Sequence, residues 1–179
     1  MAKKAKNGKK TAKAAGPEIP IPQDIGPGGN GSDEPPLTVH GQYIKDFSFE
    51  NPGAPESLAK LQDAPDVDIN VNVEARQLSG SDYEVVLTIA ADAKDGDTTV
   101  FVVELVYGGV FGLSNAIPEE HKGPVLLIEC PRILFPFARN VIADATRDGG
   151  FPPLLLQPID FMAIYQEQMG QEDQPAAQA

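Results

Sequence analysis

Asp66-Val-Asp-Ile-Asn-Val-Asn-Val-Glu74 alternates apolar and polar side chains for nine residues, which puts Val67, Ile69, Val71 and Val73 on one face of a strand. The turn sequence Ser79-Gly-Ser-Asp82 leads back into a second apolar-rich run, Tyr83 to Ala93, and Lys94-Asp-Gly-Asp97 leads into a third, Thr98 to Tyr107. Upstream, Leu37, Val39, Gly41 and Tyr43 alternate with Thr38, His40 and Gln42, and the run continues to Glu50 before Asn51-Pro-Gly-Ala-Pro55 breaks it. Four antiparallel strands in succession are predicted. Gly108-Gly109 is expected to loosen the end of the fourth, and Leu113 to His121 shows no clear period.

From Pro131 the period changes. Ile133, Phe137 and Val141 recur at four-residue spacing beside Leu134, Ala138 and Ile142, and Asp148-Gly149-Gly150 closes a helix. Pro136 predicts that this helix starts or kinks there, because proline removes one backbone hydrogen bond. Phe151 to Pro158 is expected to be extended, and Ile159 to Met169 to form a closing helix with Phe161, Ile164 and Tyr165 inward. Strands first and helices afterwards give an α+β fold: a four-stranded antiparallel sheet with C-terminal helices packed on one side.

The 179 residues are 41% apolar, enough for one core. Residues 1–36 hold 12 of the glycines and prolines and almost no large apolar groups, which reads as a disordered Lys/Gly/Pro-rich tail. The domain is expected over 37–168, with 169–179 a second flexible tail. Six lysines against four acids give the first segment a net charge of +2, leaving 8 basic against 22 acidic residues, net −14, for the rest. Such a field disfavours nucleic acid and anionic membrane and attracts basic partners. No apolar run is long enough to insert in a bilayer, and no secretory apolar segment follows the N-terminal lysines. With a single cysteine, Cys130, the expected address is cytoplasmic.

Catalytic constellations are weak. Gly108-Gly-Val-Phe-Gly112 lacks the Lys-Ser/Thr of a phosphate loop, and Asp95-Gly96-Asp97 lacks the later ligands of a calcium loop. His40 and His121 are the only histidines, too few for a zinc site or a convincing triad. Glu129 beside Cys130 opposes thiolate formation. Neither an enzyme nor a cofactor is expected.

Phe101, Phe111, Phe135, Phe137, Phe151 and the run Leu154 to Leu156, above all Leu154 and Leu156, supply more large apolar side chains near loop boundaries than a small core needs. They are candidates for a groove that takes unfolded chains, with core as the competing reading for each taken singly. One leucine or aromatic of a captured chain buried there gains ~1.5–3 kcal/mol, offset by several kcal/mol of ordering, so useful affinity needs several grooves on an oligomer.

Five segments together resemble the SecB family of bacterial protein-export chaperones. They are Lys45-Asp-Phe-Ser-Phe-Glu50, Tyr83-Glu-Val-Val-Leu-Thr88, Gly108-Gly-Val-Phe111, Cys130-Pro-Arg-Ile-Leu-Phe-Pro-Phe-Ala-Arg139 and Gly150-Phe-Pro-Pro-Leu-Leu-Leu-Gln-Pro-Ile-Asp-Phe161. The resemblance implies a homotetramer, a dimer of dimers, that binds unfolded preproteins without ATP or cofactor and passes them to the SecA motor ATPase. It also implies that Asp46, Glu50 and Glu104, with the apolar Val102 beside the last, contact SecA. A holdase that does not serve export and an enzyme of unrecognised type are the competing readings.

Overall fold

A computed structural model describes residues 35–60 and 64–172. The Lys-rich segment assigned to a tail, apart from residues 35 and 36, and the last seven residues lie outside them. Four antiparallel strands form: β1 (Leu37–Glu50), β2 (Asp66–Ser79), β3 (Asp82–Asp95) and β4 (Thr98–Leu113). A short helix, α1 (Glu56–Lys60), lies in the connection between the first two. Two-residue hairpins join β2 to β3 and β3 to β4, each with glycine at its first position, where Gly80 and Gly96 take φ of 57° and 58°. The sheet order is β1-β4-β3-β2, so β1 pairs with β4 and not with its neighbour in sequence. Residues 51–65 carry the chain across to the far edge.

Two features of the strands differ from the sequence reading. The alternation in β1 does not hold throughout: the register with β4 slips between Val39 and Gly41 and again between Ile44 and Asp46, so His40 and Lys45 are extra residues in bulges. Val39 therefore faces the helices, while Gly41 and Tyr43 face the other way. And β4 does not loosen at Gly108-Gly109; it runs on to Leu113. The glycines serve side-chain packing instead. A Cβ on Gly108 would meet the Tyr43 ring at 2.8 Å on one face, and a Cβ on Gly109 would meet Phe111 at 2.7 Å and Leu134 at 2.8 Å on the other.

Helical structure starts earlier than Pro131. α2 (Glu119–Pro124) continues through one π-helical turn, Val125–Glu129, into α3 (Cys130–Asp148). The wide turn stands immediately before Pro131, where the missing N–H and the ring would conflict with a regular α-helical carbonyl four residues back. Pro136 neither starts the helix nor ends it; it is exposed, and α3 runs through it. Of the two stripes legible in the sequence, Cys130, Leu134, Ala138 and Ile142 face the core, whereas Phe137 is 52% exposed. They pack on Val85, Leu87 and Ile89 of β3 and Val103, Leu105 and Phe111 of β4, all buried. Each fully buried aliphatic or aromatic side chain in this layer contributes ~1.5–3 kcal/mol.

α4 (Phe161–Glu172) starts two residues later than expected because Asp160 is its cap: Oδ1 accepts from the N–H groups of Met162 and Ala163 at 3.0 and 3.1 Å. It continues to Glu172, so 169–172, expected in the C-terminal tail, are helical. Phe161 is buried at its start, and Gln168 donates to Asn72 Oδ1 at 3.2 Å, which ties the helix to β2. No helix of the described residues is long and apolar enough to cross a membrane. All helical mass except α1 packs on one face of the sheet, leaving the opposite face bare.

Candidate functional site

The register decides what the bare face carries, because directly opposed residues point the same way. Glu50 lies opposite Val102, Ser48 opposite Glu104, and Asp46 opposite Val106. On the other side of β4, Asp92 pairs with Val102 and Ala90 with Glu104, and Asp68 of β2 pairs with Asp92. Asp46, Glu50, Val102 and Glu104 thus come together on one face at one end of the sheet. Asp46, Ser48 and Glu50 share a face by simple alternation, and the bulge at Lys45 makes it the same face as Tyr43, since unbroken alternation from Tyr43 would put them on the opposite side.

The sequence reading missed Asp68 and Asp92, which extend the acidic patch to the far edge. Their signal was present in the strict alternation of β2 and in the pairing of two consecutive hairpin strands. Lys94 Nζ sits 3.0 Å from Asp92 and is the one cation at this end among the described residues.

At the other end of the same face, Glu84 of β3 is tied to three side chains from two other strands. Its side chain is 4% exposed, although it stands on the bare face. Tyr43 of β1 donates its hydroxyl, Lys45 Nζ reaches both carboxylate oxygens at 3.1 Å, and Arg76 Nε donates from β2. The Tyr43 hydrogen bond, helped by Arg76 and Lys45, holds the Glu84 carboxyl down at about 2 against the opposing effect of burial. Burial first, and then Glu84, push the Tyr43 hydroxyl up to about 12. The Tyr43 ring crosses β4 over Gly108 to make this contact. Every cation of this face among the described residues, Lys45, Arg76 and Lys94, is already bound to a carboxylate.

A second feature lies at the margin of the helix-bearing side. The segment 150–155, which follows α3, runs extended beside the β1–β2 connection and leaves an apolar cavity of about 480 Å³. Phe101 and Phe151 form its floor, their ring centroids 5.0 Å apart, with Phe49 stacked on Phe101 at 5.8 Å. Leu154 and Leu155 wall one side; Leu58 and Val67 wall the other. The extended segment is anchored by a buried hydroxyl: Thr146 Oγ1 donates to the Ile142 carbonyl at 3.0 Å and accepts from the Leu154 N–H at 2.9 Å.

Of the groove candidates read from sequence, Phe101, Phe151 and Leu154 line this trough. Phe111 and Leu156 are buried in the core, Phe135 packs edge-on against Phe161 at 6.0 Å, and Phe137 is exposed elsewhere on α3. Buried aromatics on strand and helix interiors are needed for packing, and only those beside the two long connections are left facing a gap. Leu155, 58% exposed and within the candidate run Leu154 to Leu156, lines the trough as well, whereas Leu58 and Val67 went unrecognised.

Burial, with Glu129 adding to it, pushes the Cys130 thiol up to about 12. Among the described residues no group of three His, Cys, Asp or Glu side chains is placed to hold a metal ion. A carboxylate-rich sheet face that no helix covers and an apolar trough, the two surfaces these residues offer to a partner, suit a protein of the chaperone kind.

Comparison with known proteins agrees. The family described as "SecB: Preprotein translocase subunit SecB" matches residues 30–172. Curated relatives named protein-export protein SecB include one from Agrobacterium fabrum, 56% identical over 149 residues, covering 83% of this chain and 92% of the relative. Another, from Bradyrhizobium, is 54% identical over 155 residues and covers 86% and 94%. Among solved structures, a SecB-like chaperone of Mycobacterium tuberculosis, in complex with a ChAD peptide from an antitoxin, has the same fold at a TM-score of 0.59; it is 16% identical and covers 69% of this chain and 91% of that one. The chain belongs to the SecB family of protein-export chaperones.

Proposed function

We propose that this protein is an ATP-independent cytoplasmic holdase: it binds unfolded preproteins in its apolar troughs, keeps them competent for translocation, and delivers them to SecA. The observation that carries delivery is the convergence of Asp46, Glu50, Val102 and Glu104 on the one sheet face that no helix covers. An apolar residue ringed by carboxylates suits a basic partner with a small greasy contact, where charge steers the encounter and Val102 adds desolvated area.

Capture is supported by the trough along Phe101, Phe151, Leu154 and Leu155. It adjoins the start of β2, an edge strand whose outer N–H and C=O groups have no partner strand among the described residues. An extended segment can hydrogen-bond to such an edge while its side chains enter the trough, which selects for greasy, unfolded backbone over any one sequence. Weak single sites call for several per particle. The opposite edge supplies a route to assembly: Ile44 and Phe47 on β1 are 50% and 40% exposed, apolar surface suited to a second copy in a homotetramer arranged as a dimer of dimers.

The test is the double substitution Asp46→Arg with Glu104→Arg. Both residues are exposed, so the fold should survive. The variant is expected to lose SecA binding in titration calorimetry while still suppressing aggregation of a refolding client without ATP. Normal SecA affinity in that variant would remove the face from the delivery role.

A further inference from the structure

The trough and the acidic face meet at β2, where Val67 walls the one and Asp68 belongs to the other. This edge strand keeps its register with β3 without a slip from Asp66 to Gln77. Its side chains therefore divide strictly. Val67, Ile69, Val71 and Val73 turn to the helix side, and Asp66, Asp68, Asn70 and Asn72 to the bare face. The backbone alternates with the same period, since in an antiparallel sheet the N–H and C=O of one residue point to one neighbouring strand and those of the next residue to the other.

Gln168 shows which set points outward. Its Nε2 donates to Asn72 Oδ1 at 3.2 Å and to the Val73 carbonyl at 3.3 Å. Asn72 is turned to the bare face, opposite Thr88, while Gln168 belongs to α4 on the helix side, so a group that touches both passes around the rim of the strand. The Val73 carbonyl thus points away from β3, and by the two-residue period so do the N–H and C=O groups of Val67, Ile69 and Val71. Among the described residues no strand pairs with them. Gln168 closes the edge at Val73 and leaves the run from Asp66 to Asn72 open, about 20 Å of strand.

A strand added to this edge has its side chains sorted by β2, because directly opposed residues share a face. Those opposite Val67, Ile69 and Val71 turn to the helix side, where Val67 and Leu155 line the trough and Ile69 is 47% exposed. Those opposite Asp66 and Asp68 turn to the bare side and meet carboxylates. Asp66 lies opposite Lys94 and Asp68 opposite Asp92, and Lys94 is held by Asp92 at 3.0 Å, so one cation stands among three acids at this corner. We propose that the β2 edge takes a captured chain as a fifth strand and selects segments in which apolar residues alternate with lysine or arginine. This rests on the reading of the trough as the place of capture, and goes beyond it in fixing the pairing strand, the period of the pattern and the limit at Val73.

Two fluorescein-labelled heptapeptides of one composition test it on the full chain. Lys-Leu-Lys-Phe-Lys-Leu-Lys has the period, and Lys-Lys-Leu-Phe-Leu-Lys-Lys has the same charge without it. By fluorescence anisotropy at low salt the alternating peptide should bind about five-fold more tightly. Asp66→Asn with Asp68→Asn should erase that advantage while shifting the other peptide by less than about two-fold. Equal affinities, or equal losses in the variant, would mean a general attraction between a basic peptide and an acidic protein and would overturn the proposal. Backbone pairing has its own readout, because only alternate N–H groups of an added strand face β2. Methylating the nitrogens of Leu and Phe, or those of the inner lysines, should abolish binding in one set and spare it in the other, whichever way the strand runs. Tolerance of both sets, or equal loss from both, would rule out strand addition. A denatured client that is still captured, and still weakened by Leu155→Asp, while the peptides fail these tests leaves the trough in place and removes the edge. A chain that captures no denatured client sinks both.

Discussion

Glu84 offers a quantitative test of what holds the bare face together. Its carboxyl moves from an ordinary 4.5 to about 2, which corresponds to roughly 3 kcal/mol of preference for the ionised form in the folded protein. That figure is an upper bound, since Lys45 and Arg76 are 42% and 65% exposed and water screens both; about 1–2 kcal/mol should reach stability. Glu84→Gln keeps the shape and one acceptor oxygen while removing the charge. In urea, with m near ~2 kcal/mol/M, the midpoint should fall by about 0.5–1 M at pH 7, measured at one fixed protein concentration because assembly couples to folding. The sign of the pH dependence follows from a depressed folded value: the contribution is complete above about 4.5 and is lost as pH falls toward about 2. The gap between wild type and variant should therefore close on acidification through that window. A gap that stays constant from pH 7 to pH 2.5 would show that shape, and not charge, carries the effect; no gap at pH 7 would show that freed Lys45 and Arg76 regain as much in water as they lose.

Three further outcomes are expected. Gly109→Ala should destabilise by about 2–3 kcal/mol and Gly108→Ala by less in urea titrations, because the fully buried Phe111 and Leu134 cannot give way, whereas the part-exposed Tyr43 ring can tilt off β4 if it surrenders its bond to Glu84. Thr146→Val should cost about 1–2 kcal/mol and, in hydrogen exchange, release the Leu154 amide well before those of β3, since the Leu154 N–H loses its only acceptor named here. Leu155→Asp should leave the thermal midpoint within a degree or two, the side chain being 58% exposed, yet weaken capture of a denatured client at least several-fold by light scattering.

The sheet was legible in the sequence because its strands advertise themselves: β2 keeps strict alternation, and two glycine turns set the hairpins. What was not legible depends on residues far apart in the chain. That β1 joins β4 across the sheet cannot be read locally, since the 51–65 connection permits either neighbour. The bulges at His40 and Lys45 are likewise invisible in composition, because an inserted polar residue in a strand looks like continued alternation until the partner strand is known. The same limit governed the aromatics. Phe101 and Phe111 stand ten residues apart on one strand and share the helix-bearing side, yet only Phe101 meets the gap left by the segment after α3.

These unreadable slips matter for the site. The bulge at Lys45 does two things at once: it turns that lysine toward Glu84 and resets the alternation so that Asp46, Ser48 and Glu50 share the bare face with Glu104. One end of the face is thereby neutralised and rigid, with its cations consumed, and the other keeps its carboxylates free for an incoming positive charge. Deleting Lys45 should heal the bulge, since Ile44 and Asp46 then follow one another opposite Tyr107 and Val106; Asp46, Ser48 and Glu50 keep the bare face, and the deletion, like Lys45→Ala, should weaken only the Glu84 cluster. SecA binding should therefore be alike in the deletion and the alanine variant, and a loss confined to the deletion would show that the local twist of the bulge, and not the facing of the carboxylates alone, shapes the docking face.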